Sequence, residues 1–304
     1  MQSSFLGYEF ISIELNQHQL LSSFLARHPQ PLSGYTFATL ATWQSVFEYG
    51  WIHAEAETLL ISCILEPDHR RHMMQPVGSL STAVQGKLLQ GAASLPYPLR
   101  IVGVSEGFLE ENADFVNRFS VFEDLAASNY VYLAANLAKL PGRKYAKKRN
   151  LLAQAQGLYS WTREPLAGAN IDACFDVLNS IQEEEQPEID INLQQELIAL
   201  DYTFRHFDAL GQEGLLLRVN GRPVAFSIYE AISPTTVAIH FERALRSYKG
   251  LYQVINWETA QVIAGRGYEF INREEDLGSP GLRDAKRSYN PIKLIPAYEL
   301  TFKA

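Results

Sequence analysis

An α+β fold repeated in tandem is what this sequence predicts, each half a mixed, mostly antiparallel sheet flanked by helices. Three observations lead there. The chain has 304 residues, more than the ~100–200 of an ordinary domain. Its second half holds three short apolar runs separated by turn residues, the pattern of an antiparallel meander. Stretches with apolar residues at helical spacing precede and follow that meander. The join is expected near Trp161–Gly168, giving domains 1–165 and 166–304.

Composition sets the class. At 47% hydrophobic and 20% charged residues the chain can fill two cores and is not disordered. A net charge of −8 argues against coating DNA, because phosphate binding needs a positive surface field. Two cysteines, Cys63 and Cys174, are too few for a disulfide framework and suit a reducing compartment. The opening residues lack a basic flank and an unbroken apolar core, so no signal peptide is expected. No run reaches the ~18 uncharged apolar residues of a membrane span. The expected location is cytoplasmic.

Along the first half, helices are expected at Gln17–Leu25 and after Ser33, which can cap a segment carrying Phe37, Leu40, Ala41 and Trp43. Glu57–Leu65 reads as a buried strand, Ser79–Gly91 as a helix and Pro98–Val104 as a strand. Ser105–Arg118 reads as helical and Ser128–Leu133 as a strand. His69 and His72 are too isolated to bind a metal and are assigned to a surface loop. Cys174 lies with Phe175 and Leu178 on an apolar helical face and is assigned to the core.

The second half is plainer. Helices near Ile171–Glu185 and Leu193–Leu210 precede the strand Gly214–Val219. Asn220-Gly221 is a strong hairpin signal, and Val224–Glu230 is the returning strand. Thr236–Glu242 follows as a third strand. A helix carries Leu251, Val254, Ile255, Val262 and Ile263, then Tyr268–Asn272 and Lys293–Phe302 are strands. Helix, helix, three-stranded meander, helix, strand, helix, strand is an order that resembles the GNAT (acyl-CoA N-acyltransferase-like) fold. The first half shows a weaker version of it, which implies duplication at the level of the fold.

Four groups of residues could carry chemistry. Lys139 to Arg149 holds six basic residues in eleven positions. On a helix after Gly142, Lys144, Lys147 and Lys148 would share a face suited to phosphate. A solvated face paired with acids such as Glu183–Glu185 is the alternative. Asn272-Arg273-Glu274-Glu275-Asp276 lies beyond the end of a strand, where open sheets place ligands. Its three acids could hold a cationic acceptor, or the cluster could form an internal ion-pair network using Arg273, Arg283 and Lys286. His240 and Glu242 sit two apart on a strand, so they are expected on one face. Either could take a proton from an attacking ammonium, and Tyr289 could protonate the leaving group. Finally Arg246, Lys249, Gly250 and Leu251 precede a helix whose N-terminal amides could cradle a phosphate. That turn is a loose echo of a coenzyme A signature. Gly250 falls one residue late, and Tyr252 stands where a small residue is expected. No Walker loop, zinc-finger spacing, nucleophile elbow or Rossmann glycine pattern is present.

Three segments, NYVYLAANLAKLPGRKYAKKRNLL, KGLYQVINWETA and INREEDLGSPGLRDAKRSYNPIKL, are similar to one family. It is the bacterial group resembling the C-terminal domain of phosphatidylglycerol lysyltransferase. The resemblance implies tandem GNAT domains. It also implies that Asn272, Arg273, Glu274, Glu275, Asp276, Gly278, Gly281, Lys286 and Tyr289 belong to the site. Membrane-bound relatives move an aminoacyl group from charged tRNA to a lipid head group, whereas the stand-alone members have no firmly established reaction. This chain shows no membrane segment, so a lipid acceptor is not expected. The expected function is transfer of an acyl or aminoacyl group, from acyl-CoA or aminoacyl-tRNA, to an amine or hydroxyl acceptor. No metal is called for, and tRNA is a candidate partner. The alternative is a non-catalytic GNAT-like module that binds a small ligand or tRNA.

Overall fold

A hairpin opens the chain: Gln2–Phe5 (β1) and Tyr8–Ser12 (β2) pair antiparallel through a turn at Leu6 and Gly7, both at positive φ. The computed structural model describes residues 2–185 and 191–303. They fall into two units, Met1–Asn129 with Ile295–Ala304, and Tyr130–Leu294.

In the first unit His18–Arg27 (α1), Phe37–Thr42 (α2) and Gln44–Phe47 (α3) precede the strands. Gly50–Glu55 (β3), Thr58–Leu65 (β4) and Arg70–Met74 (β5) continue an antiparallel meander from β2, and Val77–Gly78 (β6) pairs with β4. Thr82–Ala93 (α4) then leads to Arg100–Val104 (β7), which runs parallel to β5. Val84, Leu88 and Ala92 form the buried stripe of α4, packed in a core with Phe10, Leu60, Met73 and Ile101. Glu106–Glu111 (α5), Ala113–Val116 (α6) and the long strand Phe119–Leu133 (β8) follow.

Local chemistry corrects two expectations here and divides one expected helical stretch. The cap of α2 is Thr36, whose hydroxyl accepts the Thr39 N–H; Ser33 instead donates to Asn129 Oδ1 at 2.9 Å. Ser105–Arg118 is helical as expected, divided at Asn112, whose side chain donates to the Phe108 carbonyl and competes with the backbone ladder. His72 is buried on β5, and its Nδ1 accepts the Arg100 N–H at 3.0 Å, a structural role in place of the surface loop.

The second unit begins with the end of β8, then Ala134–Lys139 (α7), a short 3₁₀ turn at Arg143–Tyr145 and Ala146–Leu158 (α8). Trp161–Pro165 (β9), Asp172–Glu185 (α9), Ile191–Arg205 (α10) and Phe207–Leu210 (α11) come next. The meander is Glu213–Val219 (β10), Arg222–Ala231 (β11) and Thr236–Ala244 (β12). Asn220 and Gly221 both take positive φ in its first turn, as the hairpin signal requires. Leu251–Gly265 (α12) leads to Phe270–Asn272 (β13), parallel to β12, then Pro280–Arg287 (α13) and Lys293–Phe302 (β14). Val254, Ile255 and Ile263 of α12 pack with Tyr132, Leu137, Tyr145, Leu217 and Ile271. Each such aliphatic side chain contributes about 1.5–3 kcal/mol on burial.

The two units thus share an order: antiparallel meander, helix, then a strand parallel to the last meander strand. The expected join at Trp161–Gly168 lies within the second unit, because β9 pairs with β10. Chain order and sheet membership diverge: β8 ends by pairing with β13, while the final strand β14 pairs with β7 of the first unit.

Two features of β12 position the site. Its parallel pairing with β13 covers only Thr236–Ala238; beyond that β12 runs on to Ala244 while the chain leaves β13 after Asn272. The strands therefore diverge as a fork. On the other edge the register passes from Ile228↔Phe241 to Tyr229↔Ile239, so His240 is the extra residue of a β-bulge. A bulge breaks period-two alternation and re-aims the side chain.

Candidate functional site at the β12–β13 fork

The turn after β13 sends three of its charges, Arg273, Glu274 and Asp276, to different partners. Arg273 donates from Nη2 to Glu242 Oε1 at 2.9 Å, closing the fork from one arm to the other. Glu274 sits at φ +57, a strained conformation for a residue with a side chain, and its N–H donates to Asn272 Oδ1 at 2.8 Å. Its Oε1 lies 2.8 Å from His240 Nδ1, and Glu230 Oε1 lies 2.9 Å from His240 Nε2. Burial by itself would lower the His240 pKa, but Glu274 and Glu230 together outweigh it and raise it to about 10. The ring is an imidazolium at neutral pH, donating from both nitrogens. This differs from the expected proton acceptor, since neither nitrogen has a lone pair to offer.

Glu275 is held above the usual carboxylate range, first by burial and then by Glu274. Lys286, reaching from α13, donates to the carbonyls of Arg273 and Glu275 and ties the turn to that helix. Asp276 is fully buried. It accepts from Tyr130 Oη at 2.7 Å, from Arg283 Nε at 2.8 Å and from the Gly278 N–H at 2.9 Å. Its hydrogen bond from Arg283, opposed by burial and joined by that from Tyr130, holds it at about 2. Asp276 is thereby an anchor of the turn, as the ion-pair alternative expects.

Glu242 has a second donor, Asn256 Nδ2 of α12 at 3.4 Å. The Tyr289 ring lies beside this pair, 5.1 Å from Arg273 Cζ. Burial raises the Tyr289 phenol above its ordinary value, so it keeps its proton at neutral pH. The basic run divides. Arg149 donates to the carbonyls of Leu140 and Gly142, capping the end of α7. Lys144 lies in the 3₁₀ turn before α8 and Lys147 on the helix, both exposed. Lys148 alone turns inward, its Nζ 3.9 Å from the Tyr289 centroid. Burial, and next Arg273, lower its pKa to about 8. Among the described residues no ion pair joins this run to Glu274–Asp276.

The other expected phosphate cradle meets protein. Gly250 has φ +83, and a Cβ there would lie 2.6 Å from the Leu151 carbonyl oxygen of α8. The Lys249 N–H donates to Tyr159 Oη at 3.2 Å, Leu251 is buried, and Arg246 is exposed. Sequence reasoning missed Glu230, Tyr130, Tyr132 and Asn256. The available signal was polar residues inside apolar runs, Glu230 ending an apolar strand and Asn256 within an apolar helix. Two surface hollows lie apart from this cluster, one lined by Gln194, Leu197, Ile198 and Asp201, the other by residues including Asp172, Phe204 and Asp208. Among the described residues no group of three His, Cys, Asp or Glu side chains could hold a metal, and no helix is long and apolar enough to cross a membrane.

The family described as phosphatidylglycerol lysyltransferase, C-terminal, matches residues 26–301. The chain belongs to that family. A conserved protein of unknown function from Bacteroides thetaiotaomicron VPI-5482 is 30% identical, with a TM-score of 0.88 over 97% of this chain and 99% of the other. L-PGS from Bacillus licheniformis is 14% identical, with a TM-score of 0.67 over 96% of this chain and 92% of that one. A tandem GNAT protein from the clavulanic acid biosynthesis pathway is 7% identical, with a TM-score of 0.52 over 97% and 98%. The last two likenesses establish the fold: two tandem GNAT-like domains in an α+β chain, as the order of elements predicts. Among curated proteins none matches. The lysyltransferase family membership gives the chain a transferase-like fold, and the fork is the part of that fold where its charged residues converge.

Proposed function

We propose that this protein transfers an acyl or aminoacyl group from acyl-CoA or aminoacyl-tRNA to an amine or hydroxyl acceptor, with its chemistry at the β12–β13 fork. The observation that carries the reading is the convergence there of Glu242, Arg273, Tyr289 and Lys148. Transfer of this kind depends mainly on holding a nucleophile against an activated carbonyl, with acid–base help worth ~10²–10⁴-fold. In this reading Glu242 receives the proton of the attacking group and Tyr289, which retains its own, gives one to the leaving group. His240 positions Glu274 and the turn without exchanging protons. Lys144, Lys147 and Lys148 draw the phosphates of the carrier, while Gly250 packs the start of α12 against α8. Asn272, Glu274 and Glu275 shape the acceptor side, with Arg273, Asp276 and Lys286 holding that turn. The protein acts as a cytoplasmic enzyme.

Calorimetric titration with acetyl-CoA, longer acyl-CoAs and a panel of charged tRNAs tests this. Heat from at least one donor class is expected; no heat from any of them would overturn the reading.

A non-catalytic module binding a small ligand or tRNA is the second reading. It is favoured by the packing of Gly250 against α8 and by the engagement of Glu242 with Arg273. Glu242→Gln separates the two. An enzyme loses turnover while keeping its donor, and a binding module shows no turnover to lose.

A further inference from the structure

The charges around Tyr289 do not balance. Arg273 and Lys148 bring two cations to one ring, at 5.1 and 3.9 Å from its centroid, and among the described residues the one carboxylate bonded to either is Glu242, which pairs with Arg273. Among the described residues Arg273 has one acceptor, Glu242 Oε1, which leaves most N–H groups of its fork unused. Among the described residues Lys148 meets a ring face and no carboxylate or carbonyl oxygen. Both side chains are substantially withdrawn from solvent, Arg273 keeping 15% of its side-chain exposure. Bringing like charges together away from water is unfavourable unless something negative joins them.

We propose that Lys148, Arg273 and the face of Tyr289 form a binding site for a phosphoryl oxyanion. Guanidinium and ammonium groups are complementary here, the first as a planar fork and the second as a point charge with rotatable donors. A phosphoryl group offers several oxygens to several donors at once, which a carboxylate does less well. Of the basic run only Lys148 takes part; Lys144 and Lys147 supply long-range attraction. The inference deepens the transferase reading by assigning the phosphoryl contact of the ligand to the fork and not to the N-terminus of α12. It rests on that reading only for the use made of the ligand, since the site stands on its own geometry.

Competitive labelling of lysines with acetic anhydride, read by mass spectrometry on the whole protein, tests the site without any substitution. Lys148 is expected to react at lower pH than Lys144 and Lys147. Inorganic pyrophosphate and adenosine 3′,5′-bisphosphate should each slow Lys148 several-fold and leave the other two unchanged. Protection by the bisphosphate alone would assign the site to a nucleotide carrier, and equal protection to phosphoryl groups in general. No protection by either, or equal protection by acetate at matched ionic strength, would overturn the proposal. As a second measurement, Lys148→Met should abolish the calorimetric heat of pyrophosphate binding while leaving the unfolding transition in place; retained heat would overturn it. Protection without any acyl transfer would leave the site and remove the transferase reading. Transfer without protection would do the reverse.

Discussion

Glu274 folds back from the turn after β13 to meet His240 on β12, Oε1 to Nδ1 at 2.8 Å. The contact ties a left-handed glutamate to a β-bulge, two local irregularities that stabilise each other. It holds the fork in one shape, since Glu230 takes the opposite ring nitrogen and leaves the imidazolium no freedom to turn.

Stability should therefore depend on pH in an unusual window. The folded His240 pKa is raised to about 10 from 6.5. A group raised in the folded state contributes fully below its unfolded value and loses that contribution as pH climbs to its folded value. The melting temperature should fall between about pH 6.5 and pH 10. His240→Gln should flatten that slope and, by removing the cation held between Glu230 and Glu274, cost about 3 kcal/mol at neutral pH in denaturant unfolding. An unchanged slope in the variant would show that other groups set it.

Acid should act through Asp276. Its pKa is lowered from 3.8 to about 2, chiefly by Arg283, so its contribution is present above 3.8 and lost as pH falls through about 2. Asp276→Asn should flatten the acid limb of unfolding over that interval, measured by far-UV circular dichroism.

Gly250 is a packing position. With φ +83 and a neighbouring carbonyl 2.6 Å from where a Cβ would sit, Gly250→Ala should destabilise by about 1–3 kcal/mol. Equilibrium urea unfolding would measure it. A neutral result would mean that α8 moves freely aside.

Thr259 offers the opposite case. Among the described residues its hydroxyl, buried on α12, has no partner, so Thr259→Val removes an unsatisfied group and keeps the shape. The variant should be neutral to about 1 kcal/mol more stable. A loss of 1 kcal/mol or more would show that the hydroxyl is bonded to water.

The meander was legible because its signals are local. Asn220-Gly221 sets its first turn, and the runs on either side are short and apolar. The β1–β2 hairpin was not, since its turn uses Leu6 at positive φ where the usual signal is Asn or Asp. Arg70–Met74 begins with two arginines and a histidine and reads as a loop, yet pairing with β4 and β7 makes it a strand whose last three residues are buried. At the site, the cluster beyond Asn272 could be named from its charges. His240 and Glu242 do reach adjacent residues of one turn, Glu274 and Arg273, but His240 is the extra residue of a bulge, which no periodicity reveals. Glu230 and Asn256 become visible only when the strand and the helix are folded against the fork, because their partners lie 10 and 14 residues away.

The most direct test is single-turnover transfer of a labelled acyl or aminoacyl group from its carrier to an added amine, comparing the natural protein with Glu242→Gln. The account predicts label on the amine with the natural protein and a loss of ~10²-fold or more in the variant, with carrier affinity kept. Equal transfer by both proteins would contradict it, as would carrier binding without any transfer by either.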